Sequence, residues 1–509
     1  MAGAWAARPA AGGDPLEALS NLGELQLAQT RLHVLAPELG IDLRLPRIDL
    51  RLRVEDERVR AGARAWLRES AQPFDIAGEL DRASGDGRVY AGTRQADLAA
   101  LAGTFDVAGV SPLSGRGRLR AWAQLRGHRV VAVRADAGLL DVRLRGSAAA
   151  GAAVPTQALG ELVLDASWAG SLQDWQLRMP RLRIGDGARR QTLDGLALAG
   201  GERRYALRAQ RVDVAPLLQL AALSDALAPS LRHWLRTTAP GALVQDIVLA
   251  GERGGRLRAS ARIDGFRFDP VGHTPGLRGV GGWLQADQDG LRLRFDRAAQ
   301  VAFDWPAGFG VVHAFTLDGE AVLWRDGEGW TVRTPGLAVD GGPLRLQARG
   351  GIGFEGDGSR PHLDLAVDIG DVPISAAHGF WIHHLMPKAT VQWLDAALQG
   401  GTLRNVHAVV AGDLDDWPFR NEPGMAGAGV FRADAHIADG TVKFQPDWPA
   451  AQRMEADVSF VADGFSLTGS ANLGGVPVSA LKAGIARFGK AELQVEAAAG
   501  GDAGNFLAM

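Results

Sequence analysis

Apolar and charged residues alternate with a period of two over much of this chain, and that period restricts the local structure to one kind. From Ile41 to Val54 the order is I-D-L-R-L-P-R-I-D-L-R-L-R-V, with apolar residues on one parity and Arg or Asp on the other on each side of Pro46. Successive strand side chains point to opposite faces, so such a stretch reads as a strand with one apolar and one solvated face. Similar stretches run from Val131 to Leu144, Trp175 to Ile184, Leu291 to Phe295, Leu344 to Ala348, His362 to Ile369 and Val458 to Phe465. Most are bounded by Gly, Asp-Gly or Pro, and 67 glycines in 509 residues supply the turns that many short antiparallel hairpins need.

Two segments depart from the alternation. Pro216 to Thr238 carries leucines at three- and four-residue spacing, is interrupted by Pro229 and closes on Pro240-Gly241. That spacing predicts two short amphipathic helices. Ala389 to Leu398, with apolar Val391, Leu394, Ala397 and Leu398, predicts a further helix stopped by Gly400-Gly401.

The chain also repeats itself. Leu43-Arg-Leu-Pro-Arg-Ile-Asp-Leu50, Leu177-Arg-Met-Pro-Arg-Leu-Arg-Ile184 and Val332-Arg-Thr-Pro-Gly-Leu-Ala-Val339 share one pattern. In each, the proline shifts the apolar parity by one residue, as a bulge or strand break does. Trp175 and Trp330 lie two residues upstream of the second and third copies. Further matches follow: Trp234-Leu235 with Trp393-Leu394, Ile263-Asp264-Gly265 with Ile437-Ala-Asp439-Gly440, and Asp289-Gly290-Leu291 with Asp463-Gly464-Phe465. The expected organisation is a divergent N-terminal β module over residues 1–153, then tandem modules over 154–318 and 319–509.

Little in the sequence supports catalysis or nucleic-acid binding. A net charge of −3 gives no basic surface for phosphate backbones. With no cysteine there is no disulfide, thiolate nucleophile or cysteine-ligated metal. Gly484 to Lys490 resembles the start of a phosphate-binding loop, but Ala491 stands where a magnesium-binding Ser or Thr is required, so an ordinary turn is the better reading. His378, His383 and His384 do not share one helical face, which favours a polar loop packed on Phe380 and Trp381 over a metal site. Asp413, Asp415 and Asp416 beside Trp417-Pro418 read as turn and cap residues rather than a glycosidase pair. The three Asp-Trp-Pro motifs, at Trp305, Trp417 and Trp448, read as anchors of the core or sheet edge. No catalytic residue, metal or cofactor is expected.

Many strands with one apolar face and few helices to cover it point to a sheet curled into an open trough. Some thirty strands at about 4.8 Å each would make it on the order of 140 Å long. Its lining suits acyl chains, because each methylene kept from water is worth about 0.8 kcal/mol.

The segments Gln392-Trp-Leu-Asp-Ala-Ala-Leu398, Gly412-Asp-Leu-Asp-Asp-Trp-Pro-Phe-Arg-Asn421, Phe431-Arg-Ala-Asp-Ala-His-Ile-Ala-Asp-Gly440 and Pro446-Asp-Trp-Pro449 resemble the YhdP family of AsmA-like envelope proteins of Gram-negative bacteria. The likeness is most specific from about residue 320 to 475. It implies a periplasmic, inner-membrane-anchored protein whose elongated β-groove carries phospholipid towards the outer membrane and supports its barrier, without catalysis or cofactor. Family members are longer and normally begin with a membrane-spanning helix, and the opening residues here do not read as a secretory signal. The chain is therefore expected to be a fragment of the groove.

The combined expectation is a mostly β protein: an elongated repetitive antiparallel sheet curled into an open hydrophobic groove, with a few short amphipathic helices at module junctions. Its proposed lipid-groove residues are Leu43, Leu45, Ile48, Leu50, Leu177, Met179, Leu182, Ile184, Val332, Leu337 and Val339. The expected partners are phospholipid acyl chains and, through parts outside this chain, the inner and outer membranes, with no nucleic acid. The alternative is a non-catalytic envelope scaffold whose apolar faces close on themselves.

Overall fold

The computed structural model describes residues 23–36, 41–68, 72–101, 108–147, 153–171, 173–185, 191–384, 386–420, 429–488 and 492–501. Among these, 27 strands account for most of the chain, and three α-helices interrupt them: α1 (Ala215–Ala221), α2 (Pro229–Thr238) and α3 (Lys388–Ala397). All three lie where the leucine spacing places them. None is long and apolar enough to cross a membrane.

The chain divides into two compact units, Met1–Leu257 and Arg258–Met509. In the first, every strand from Glu24–Ala36 to Gly241–Glu252 pairs antiparallel with its sequence neighbours. The second continues the same rule up to Gln494–Ala499, with two strand positions filled by a pair of short segments. Gly290–Phe295 and Val301–Asp304 both lie between Gly276–Asp287 and Val312–Asp326. Likewise His362–Ile369 and Val372–Pro373 both pair with Leu398–Asp413. Hairpin after hairpin is the arrangement that short Gly-bounded strands favour, since each pairing closes only a short loop.

The three proline motifs are bulges. Register slips between Leu32/Leu45 and Thr30/Ile48, between Asp165/Arg181 and Ser167/Arg178, and between Thr334/Gly350 and Leu337/Ala348. In the second copy the facing strand matches the distortion with Gly195 opposite Pro180, at φ 67, a conformation in which a Cβ is strained. The bulge returns the apolar residues on both sides of the proline to one face, which is why Leu45 and Ile48 are both 6% exposed despite their odd spacing. The Asp-Gly repeats are also bulged: register slips between Ile263 and Phe266 and between Ile437 and Gly440.

Each sheet is apolar on one side and charged on the other. The charged side carries ladders such as Arg118 and Arg120 on Asp136, at 2.8 and 3.0 Å, and Arg297 on Asp318 at 2.6 Å. These pairs are largely exposed, so each adds little to stability; they keep that face wet and fix register. His436 is held there between Asp457 at 2.8 Å and Glu455 at 3.2 Å, and these hydrogen bonds raise its pKa above the ordinary imidazole value. A raised folded-state pKa gives stability that is fully present below the unfolded value and lost as pH rises through the folded one. His436→Gln is therefore expected to destabilise by up to about 1 kcal/mol at acid pH and by less at alkaline pH. Urea unfolding at pH 5.5 and 8.5 checks this, and an equal loss at both would refute it.

Helices α1 and α3 sit on the apolar side. Leu217 and Leu220 of α1 pack on a cluster containing Leu139, Val142, Leu159 and Ile184. Ala397 at the end of α3 is fully buried and joins Ile374, Ile437, Met454 and Leu467. Trp393 of α3 donates its indole N–H to the Phe444 carbonyl at 2.9 Å, fixing the helix on the sheet. Part of the apolar side is thus sealed by helix.

Candidate functional site

Residues paired directly across antiparallel strands share a face, so the register shows which side chains stand in line. In the first unit one line crosses all its strands: Leu25, Leu52, Ala61, Gly78, Val89, Ala123, Val133, Trp168, Leu177, Leu198, Leu207 and Leu249. No polar side chain interrupts it. None of the twelve is buried, and Val89 is 38% exposed. A deeper, parallel line holds Leu119, Ala137, Leu164, Leu182 and Leu193, of which Ala137 and Leu193 are buried.

The second unit repeats the arrangement. Ala259, Ala286, Leu291, Leu323, Val332, Ile352 and Leu363 form one line. Leu337, Ala348, Val367, Ala408, Ala433, Phe460, Phe465 and Ile485 form another. Members of both lines are half-buried or exposed, with Ile352 at 36% and Phe460 at 38%. In a two-layered sandwich the inward positions would be covered by the facing sheet. Here strands such as Arg345–Phe354 and His362–Ile369 have no buried residue at all.

The residues singled out from sequence fall on both zones of this face. Leu45, Ile48 and Ile184 are buried core, while Leu50, Leu177, Met179, Leu182, Val332, Leu337 and Val339 are half-buried. Leu50 packs with Leu45, Ile48 and Ala65. Leu182 bridges the clusters around Ile184 and Leu193, and Leu337 and Val339 join that around Val280, Val301 and Leu317. Leu43 lies in the strand Ile41–Glu55, but its side chain is outside the described residues. Leu198, Leu207, Leu249, Leu323 and Leu363 belong to the same lines and were not singled out; the alternation within their own strands was the available signal.

The polar clusters serve local structure. His384 Nδ1 lies 2.7 Å from the Ala307 carbonyl, with its ring against Trp305, and the His383 main chain donates to the Gly308 carbonyl. Together they tie the segment after Phe380 to the Trp305–Gly310 turn. Trp305 donates to the His273 carbonyl at 2.7 Å, so the first Asp-Trp-Pro motif pins the turn between Leu257–Phe268 and Gly276–Asp287. Asp413 holds His362 and Asp415 pairs with Arg360, so these carboxylates do not converge on one point. Gly484 and Ile485 finish the strand Val476–Ile485.

The sheet, with lines of apolar side chains half-buried or exposed on one side, belongs to a chain that matches a known family. A family model described as YhdP protein matches residues 6–509. The chain belongs to the YhdP family. It is 25% identical over 301 residues to the Escherichia coli (strain K12) protein named Intermembrane phospholipid transporter YhdP, an alignment covering 57% of this chain and 23% of that relative. The chain therefore spans less than a quarter of the YhdP relative it matches. No solved structure matches. The likeness to this family read from Gln392 to Pro449 is borne out, as is the mostly β, antiparallel, hairpin-built fold.

Proposed function

We propose that the open lines of aliphatic side chains form the wall of a groove that carries phospholipid acyl chains, within a longer protein that moves phospholipid between the inner and outer membranes. The observation that carries this reading is the line from Leu25 to Leu249, apolar at every strand and buried at none. An acyl chain laid on it would recover about 0.8 kcal/mol per methylene removed from water. Because the line is apolar at every strand, from Gly78 to Trp168, and has no fixed polar contact, no polar anchor holds the chain at one position. That favours passage over storage, and it involves no covalent step.

The rest of the reading belongs to the same proposal. Lipid passing between two membranes places this segment in the periplasm of a Gram-negative cell, attached to the inner membrane through a part outside the chain and contributing to the outer-membrane barrier. The modules over 1–153, 154–318 and 319–509 would each contribute a length of wall, marked by its own proline bulge.

Site-specific photocrosslinking tests it. A benzophenone side chain at Leu207 or Leu323 is expected to capture phospholipid, detected by mass spectrometry, whereas one at Arg208 or Arg333 on the charged face captures little. Equal capture from both faces, or none from the apolar one, would leave the closed scaffold as the better account.

A further inference from the structure

At one strand end, the apolar face of the second unit finishes in aromatic and cationic side chains. Register pairs Arg325 with Trp330 and Trp330 with Phe354. Each lies two residues beyond a member of the aliphatic line, Leu323, Val332 and Ile352 respectively, with no slip between, so all three share the apolar face. Trp330 is 50% and Phe354 48% exposed. Arg325 is exposed too; its Nε donates to the Gly327 carbonyl at 3.1 Å, and among the described residues it has no carboxylate partner. On the charged face, by contrast, Arg333 pairs with Asp364 and Arg292 with Glu320. Asp326, next to Arg325, falls on that opposite face by parity.

We infer that this Arg325–Trp330–Phe354 edge binds the glycerophosphate part of the phospholipid whose acyl chains lie on Leu323, Val332 and Ile352. The inference rests on the lipid reading above and adds where the headgroup sits. Two residues along a strand are about 7 Å, one glycerol's reach from the aliphatic line to the edge. A tryptophan at a wet apolar boundary covers ester and glycerol carbons with its ring and offers its N–H outward. A guanidinium held by a main-chain carbonyl through Nε keeps its terminal NH₂ groups for a phosphate, and bidentate contacts of that kind are among the stronger charge-assisted hydrogen bonds. A structural role alone does not require a cation on this face: the neighbouring positions along it are Leu, Val and Ile.

Three probes separate the sources of binding: dioctanoyl phosphatidic acid, dioctanoylglycerol and inorganic phosphate, each titrated against the 509-residue chain. The wild type is expected to bind dioctanoyl phosphatidic acid about tenfold more tightly than dioctanoylglycerol. Arg325→Gln should abolish that preference without weakening dioctanoylglycerol, Trp330→Ala should weaken both lipids severalfold, and Arg349→Gln on the charged face of the next strand should change neither. Retained preference in Arg325→Gln overturns the headgroup edge and leaves the lipid groove standing. Full competition by inorganic phosphate also overturns it, in favour of a plain anion site. Failure of the wild type to bind either lipid overturns the groove reading itself.

Discussion

An aspartate at Leu207 is expected to cut phospholipid capture at neighbouring groove positions at least tenfold while the chain still folds. Leu207 stands between Leu198 and Leu249 in the open line and is half-buried, so its carboxylate can stay hydrated in the lipid-free protein. An acyl chain passing over it would strip that water away. Removing hydration from an ionised group costs several kcal/mol, and about 1.4 kcal/mol already corresponds to a factor of ten. Leu207→Ala removes only one wall contact among many and should reduce capture less than twofold. The pair of variants separates a lost charge-free path from a lost contact. Crosslinking from Leu177 with unchanged circular dichroism is the measurement; undiminished capture in Leu207→Asp would falsify the open path. Charge at Leu182 or Leu337 should block in the same way, but both join buried clusters, so their effect on folding has to be read alongside.

Met454→Ala is expected to lower stability by about 2–5 kcal/mol without altering lipid preference. Met454 is fully buried in the cluster that seats Ile374 and Ala397 against the sheet, where truncation leaves a cavity that the helix and strands can only partly close. The loss should appear as a lower urea midpoint in the second unit. A change below 0.5 kcal/mol would mean that the helix-covered zone is not the stabilising core. The contrast with Leu207 is the physical point: apolar side chains of one face do two different jobs, depending on whether a helix lies over them.

That division explains which features could be read in advance. The strands, their faces and the three proline bulges were legible because each is a local pattern: alternation with period two, and a proline that interrupts it. The helices α1, α2 and α3 were legible for the same reason, from leucine spacing and a Pro or Gly at the end. The lipid-wall residues were legible only as a class. Ile48 and Leu50 have the same parity and similar neighbours, yet one is buried and the other half-buried. Leu177 and Ile184 likewise share a motif, and only Ile184 lies in the cluster reached by α1.

The pairing of Arg325, Trp330 and Phe354 was hidden for a different reason. Trp330 stood out as a repeated residue, but what faces it depends on hairpin register across three strands, and register is set by where each turn closes and each bulge falls. Side-chain alternation is a property of each strand alone, so a succession of two-faced strands with too few helices to cover them is already written into the local residue order. Which stretches of the apolar face are sealed and which stay open depends instead on long-range packing, on where residues distant in the chain, such as Leu217 on Ile184 and Ala397 on Met454, come to rest.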